Sequence, residues 1–263
     1  MRRFIVTGAP RSATQYAAAL WQALGTDCPH EMHFKPTVSM WDALQWHQKS
    51  CGESSWLAWA FLPMIDDPDV IVFHQRRDPW KVIDSLAFRN WQVIRNVDAC
   101  TPNQQKFQDV TRHYCPRVWQ YEEAVDRAAA MLLDWNRCID EACERYPVIR
   151  YNVEDLDRER VAGFCDLVEH DVTRTQVDDA LAEVSTSQNF GKKLERGRVS
   201  DPLVEQYIVE RFGFCPNMIC VGAATDFHRP EQLAGMIDPT LLQEVNEYAI
   251  EHGYEPAPSP ALN

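Results

Sequence analysis

The sequence predicts an α/β fold with a central parallel sheet flanked by helices, and three stretches carry that expectation. The run "RRFIV" has the apolar, β-branched character of a buried strand, "TGAPRSATQY" turns, and "YAAALWQAL" takes up helical periodicity. A second strand-turn-helix unit follows at Val70–Phe88, where "VIVF" reads as a buried parallel strand, "RRDP" breaks it, and "WKVIDSLAF" starts a helix after the proline. The third stretch, "YEEAVDRAAAMLLDWNRCIDEACERY", is amphipathic over about seven turns and reads as a packing helix.

At 263 residues the chain is long enough for one α/β domain with a sizeable core, or two small ones. No linker or repeat divides it, so a single domain over residues 1–263 is expected. The formal charge of -13 argues against nucleic acid or an anionic membrane as partner, because both need a basic surface to displace counterions. The apolar run before Thr7 and Gly8 is only three residues long, too short for a signal peptide or anchor, and a cytoplasmic protein is expected. Nine cysteines without a C-x-x-C pair read as reduced thiols rather than a disulfide framework.

Backbone N–H groups at a helix N-terminus are unpaired and attract anions, so "TGAPRSATQY" reads as an anion-binding loop. Against the nucleotide-triphosphatase pattern G-x-x-x-x-G-K-[ST] counted from Gly8, Ala13 stands for the second Gly, Thr14 for the Lys and Gln15 for the magnesium hydroxyl. The cation has moved to Arg11, and no magnesium ligand is left. In the second unit Arg77 ends the strand and Ser85 lies about two turns into the helix. Both reach one phosphate only if the helix folds back beside the strand end.

Together, "GAPRSATQY" and "RRDPWKVIDS" resemble the two nucleotide motifs of sulfotransferases that use 3′-phosphoadenosine 5′-phosphosulfate (PAPS): the 5′-phosphosulfate loop P-[KR]-S-G-T-[TS] and the 3′-phosphate motif R-[DN]-P-x-x-x-x-x-S. "VIRYNVEDL" resembles that family's strand ending in Y-x-x-E-D-L, and "LLQEVNEYAIEHGY" its closing helix. The resemblance implies a P-loop NTPase-like sulfotransferase fold. It places Gly8, Pro10, Arg11, Ser12, Ala13, Thr14 and Gln15 around the 5′-phosphosulfate, Tyr16 on adenine, and Arg77 and Ser85 on the 3′-phosphate. The late basic run "STSQNFGKKLERGRVSD", with Lys192, Lys193, Arg196 and Arg198, would close over the 3′-phosphate, although a solvated charge run explains any one of them. No metal is expected, and the product nucleotide is 3′,5′-adenosine bisphosphate. Two positions depart from the pattern: Ala13 puts a Cβ where the family has Gly, costly if φ must be positive, and Gln15 replaces a hydroxyl.

Sulfuryl transfer to a hydroxyl needs a base for the acceptor proton and a cation beside the leaving phosphate. Arg11 supplies the cation. The base is expected just past the first helix, where "HEMHF" resembles the "KEVHF" segment of heparan-type enzymes and points to Glu31, with His30 and His33 as alternatives. Cys28, His30 and His33 also have the residue types of a zinc site, but no second pair follows at finger-like spacing. Trp56 and Trp59 lie next in the chain as acceptor walls or core. A small-molecule or glycan acceptor is expected. The rival readings are a P-loop nucleotide kinase or hydrolase, and a nucleotide-binding pseudoenzyme.

Overall fold

A computed structural model describes residues 1–88, 102–187 and 228–258. Along the chain run β1 (Phe4–Thr7), α1 (Thr14–Ala23), α2 (Met40–Leu44), β2 (Gly52–Ser54), β3 (Ile71–Arg76), α3 (Pro79–Phe88), α4 (Pro102–Tyr114), α5 (Ala124–Ala142), β4 (Val148–Asn152), α6 (Arg158–Leu167), α7 (Arg174–Ser187), α8 (Pro230–Ala234) and α9 (Pro239–Glu251). They fall into two compact units, Met1–Asp78 with Asp134–Gln188, and Pro79–Leu133 with Asn189–Asn263.

The first unit holds a four-stranded sheet in the order β2-β1-β3-β4, parallel throughout, with helices packed on it. β1 is buried along its whole length, as a strand covered on both faces must be. Phe4 pairs in register with Gly52 on one side and Ile71 on the other. Against the sheet, α1 contributes Trp21, whose ring lies 4.3 Å from Phe4 and 5.7 Å from Phe73, and Phe164 of α6 closes on Phe73 at 5.0 Å. A second aromatic group joins Trp56 and Trp59 to Trp135, at 5.0 and 5.3 Å, and all three are buried. Trp56 and Trp59 therefore belong to the core.

β2 has no counterpart in the sequence reading. Gly52, Glu53 and Ser54 carry no strand propensity, and they pair because β1 offers them an open edge. The helix expected over about seven turns is shorter, 19 residues as α5. It ends at Ala142, and Pro147 disfavours helical geometry at Tyr146, where the expected helix was to end. The Tyr146 hydroxyl instead donates to the Ile65 carbonyl at 2.8 Å.

The second unit packs α3, α4, α8 and α9 with the start of α5. The Asp238 carboxylate accepts the Thr240 and Leu241 amides, and with Pro239 in the first turn this fixes where α9 begins. Arg117 donates to both carboxylate oxygens of Glu244, at 2.8 and 2.6 Å, and the fully buried Asp84 accepts from the His228 ring and amide. Among the described residues no helix is long and apolar enough to cross a membrane.

Candidate anion-binding and proton-transfer site

In a parallel sheet every strand ends at the same edge, and the order β2-β1-β3-β4 makes the chain leave β1 toward β2 and later return on the opposite side of β1. The crevice at that reversal, beyond the ends of β1 and β3, is where open α/β sheets bind ligands. Gly8–Ala13 leave β1 into it, and Arg77 leaves β3 there.

The loop has the geometry of an anion cradle. Arg11 and Ala13 have positive φ, 71° and 73°, and Ser12 between them does not. Such alternation turns successive N–H groups to one side, as in phosphate-binding nests. Ala13 is also the residue from which α1 starts, so the helix's free amides face the same way. At Gly8 a Cβ would collide with the Gln75 carbonyl and with Ser12 Oγ, so only glycine lets the loop lie this close to β3. The Ser12 hydroxyl is buried without a hydrogen-bond partner, a polar group left for something the loop holds.

Side chains from the neighbouring strands brace this loop, Gln75 and Ser54 among them unmarked in the sequence. Buried Gln75 donates to the Ser12 carbonyl and accepts from the Tyr151 hydroxyl at 2.6 Å. Ser54 donates to the Thr14 carbonyl at 2.7 Å, and Arg77 Nη1 to the Arg11 carbonyl at 3.1 Å. Glu154 Oε1 accepts the Asp78 amide at 3.3 Å. Tyr151 and Glu154 are the tyrosine and glutamate of "YNVEDL", so that segment supports both loops rather than reacting. Gln75 and Ser54 sit inside strands with nothing in their spacing to mark them.

Ala13 occupies the left-handed region in which a Cβ costs about 1–2 kcal/mol, partly offset by the extra freedom that glycine brings to the unfolded chain. Ala13→Gly should therefore stabilise the protein by up to about 1 kcal/mol, read as a higher urea midpoint. A lower midpoint would mean that the Ala13 methyl makes a contact worth more than its strain.

The residues after α1 come back to the loop. His30 bridges to Ser54 beside β2, and its Nε2 lies 3.1 Å from Thr14 Oγ1 and 3.4 Å from Glu31 Oε1. Burial lowers the His30 pKa to about 4, so the ring is neutral near pH 7. Glu31 is raised above the ordinary carboxylate range by burial, opposed by the Lys35 charge, a hydrogen bond from Trp56 and the Arg11 charge. The structure thus gathers Arg11, Thr14, His30 and Glu31 at one place. His33 is buried at 4% exposure and lowered chiefly by burial, with Lys49, Asp27 and Lys35 as its charged neighbours.

Of the remaining expected residues, Pro10 is buried in the turn, Gln15 is exposed on α1, and Tyr16 packs half-buried against the core. Ser85 is buried on α3 of the second unit. Lys192, Lys193, Arg196 and Arg198 lie outside the described residues. Among the described residues no group of three or more His, Cys, Asp or Glu could hold a metal ion.

No family model matches the chain, and no curated protein matches it. Among solved structures, that of mouse sulfotransferase SULT7A1 complexed with PAP is similar at 11% identity and a TM-score of 0.49, covering 96% of this chain and 86% of that one.

Proposed function

We propose that the protein is a sulfotransferase of P-loop-like fold that moves a sulfuryl group from PAPS to a hydroxyl or amine of a small-molecule or glycan acceptor by in-line displacement. The observation that carries this reading is the pairing of a lysine-free anion loop with a half-buried carboxylate: Glu31 lies within reach of the Arg11 charge at the switch point of the sheet. The orphaned Ser12 hydroxyl and the left-handed turns at Arg11 and Ala13 fit an anionic ester held by backbone amides. Bound PAPS would supply the sulfuryl group and a phosphate leaving group.

The chain's own residues do the rest. The loop amides and Ser12 hold the 5′ anion, and Arg11 balances charge on the departing phosphate. Arg77 is assigned to the 3′-phosphate by its motif and by its place at the end of β3. Glu31, raised above an ordinary carboxylate by burial and facing the Arg11 charge, accepts the proton of the acceptor. His30, neutral and drawn to Thr14, orients rather than titrates.

A thermal-shift comparison tests the reading. At a hundredfold excess over its dissociation constant, 3′,5′-adenosine bisphosphate should add about 2.7 kcal/mol and raise Tm by roughly 5 to 10 °C. ATP with magnesium should not, because it lacks the 3′-phosphate. Equal shifts would favour a nucleotide kinase or hydrolase, and bisphosphate binding without any turnover of PAPS would identify a nucleotide-binding pseudoenzyme.

A further inference from the structure

Glu53 is fully buried on β2, a place where a carboxylate is costly unless hydrogen bonds satisfy it. Its Oε1 accepts two successive backbone amides, Met32 at 2.7 Å and His33 at 2.9 Å, and the Phe34 amide is also directed at the carboxylate. The residue just before these amides is Glu31, which has φ 52°, the left-handed conformation that turns successive N–H groups toward one anion. Glu31 is tied to the same strand by its own amide, which donates to the Ser54 carbonyl at 3.0 Å. The loop that carries the candidate base is therefore wrapped around the Glu53 carboxylate. The left-handed backbone of Glu31 is unfavourable for a residue with a Cβ, and the amides that Glu53 accepts hold it in place.

From this geometry we infer that Glu53 is a positioning residue, which fixes through the backbone of residues 31–33 the direction in which Glu31 meets the acceptor. The inference rests on the sulfuryl-transfer reading. It makes Glu53 a hydrogen-bond acceptor whose length matters and whose charge does not. Glu53 rises to about 7, chiefly through burial and against the pull of the three amides, so its neutral form is already well populated near neutral pH.

The test uses the full chain with Glu53→Gln, Glu53→Asp and Glu53→Leu, and sulfuryl transfer to water, followed as bisphosphate release from PAPS, as the assay that needs no known acceptor. Glu53→Gln keeps an acceptor oxygen at the same reach and should keep kcat close to wild type. Glu53→Asp keeps the charge but draws the oxygen back, and should lower kcat toward the loss of Glu31 itself, about a hundredfold or more, without changing KM for PAPS or the bisphosphate Kd. In a Glu31→Gln background Glu53→Asp should have no further effect, because both changes remove the same contribution. Glu53→Leu should match Glu53→Asp; should it fail to fold, the Gln and Asp pair still decides.

An Asp variant with full turnover, or a Gln variant as slow as Asp, overturns the inference. So does a loss of bisphosphate binding in step with kcat, which would make Glu53 a structural residue only. A wild type that neither binds bisphosphate nor turns over PAPS overturns the sulfuryl-transfer reading first, and the positioning role with it.

Discussion

Replacing Glu31 by Gln should lower sulfuryl transfer by about a hundred- to ten-thousandfold while 3′,5′-adenosine bisphosphate binds as before, because general-base help of that size is what the change removes. Gln preserves the shape of the side chain and leaves the main-chain bond from residue 31 to Ser54 untouched, so the loop should stay in place. The pH dependence gives an independent reading. A carboxylate base must be ionised, and the pKa of Glu31 is raised by burial, so the rate should fall on acidification at a pH above the ordinary glutamate range. That acid limb should vanish from the residual rate of Glu31→Gln. His30, with its pKa lowered to about 4, would instead give a limb near that value, and His30→Ala would then be the inactive variant. A Glu31→Gln protein that keeps most of its turnover beside an inactive His30→Ala or His33→Ala protein would move the base to that histidine.

Arg77→Ala should weaken 3′,5′-adenosine bisphosphate by roughly thirtyfold or more, since truncating one partner of a hydrogen-bonded charge pair costs about 2–5 kcal/mol. The structure adds a second consequence. Arg77 Nη1 also donates to the Arg11 carbonyl, so the substitution releases one brace of the Gly8–Ala13 loop. Adenosine 5′-phosphosulfate, which has no 3′-phosphate, should therefore weaken too, but only by the worth of one hydrogen bond, about 1 kcal/mol. The difference between the two nucleotides, measured by calorimetry, isolates the 3′-phosphate contact. Equal losses would leave Arg77 with the loop-bracing role alone.

What the sequence determined by itself lies where chemistry and chain order coincide. "FIV" and "VIVF" are apolar because β1 and β3 are covered on both faces, so their burial is written in composition. The glycine, arginine and serine of "GAPRSA" sit together in the chain because a single turn brings them together in space. Ala13 illustrates the limit: the sequence showed a Cβ where glycine is usual, and only the backbone showed that φ is positive there.

The tertiary structure alone decided how that loop and the candidate base are held. β2 is three polar or small residues with no strand signal, formed because the edge of β1 was open to it. Through β2, Glu53 and Ser54 shape the loop of Glu31 and the start of α1, over separations of 20 and 40 residues. Gln75 on β3 reaches Ser12, and Tyr151 on β4 in turn donates to Gln75. Trp56 and Trp59, open in the sequence to either an acceptor wall or the core, went to the core because Trp135, far along the chain, packs against them. Local pattern records propensity and burial, which are properties of neighbouring residues. Hydrogen bonds between distant strands leave no such pattern, because their partners become neighbours only when the sheet forms.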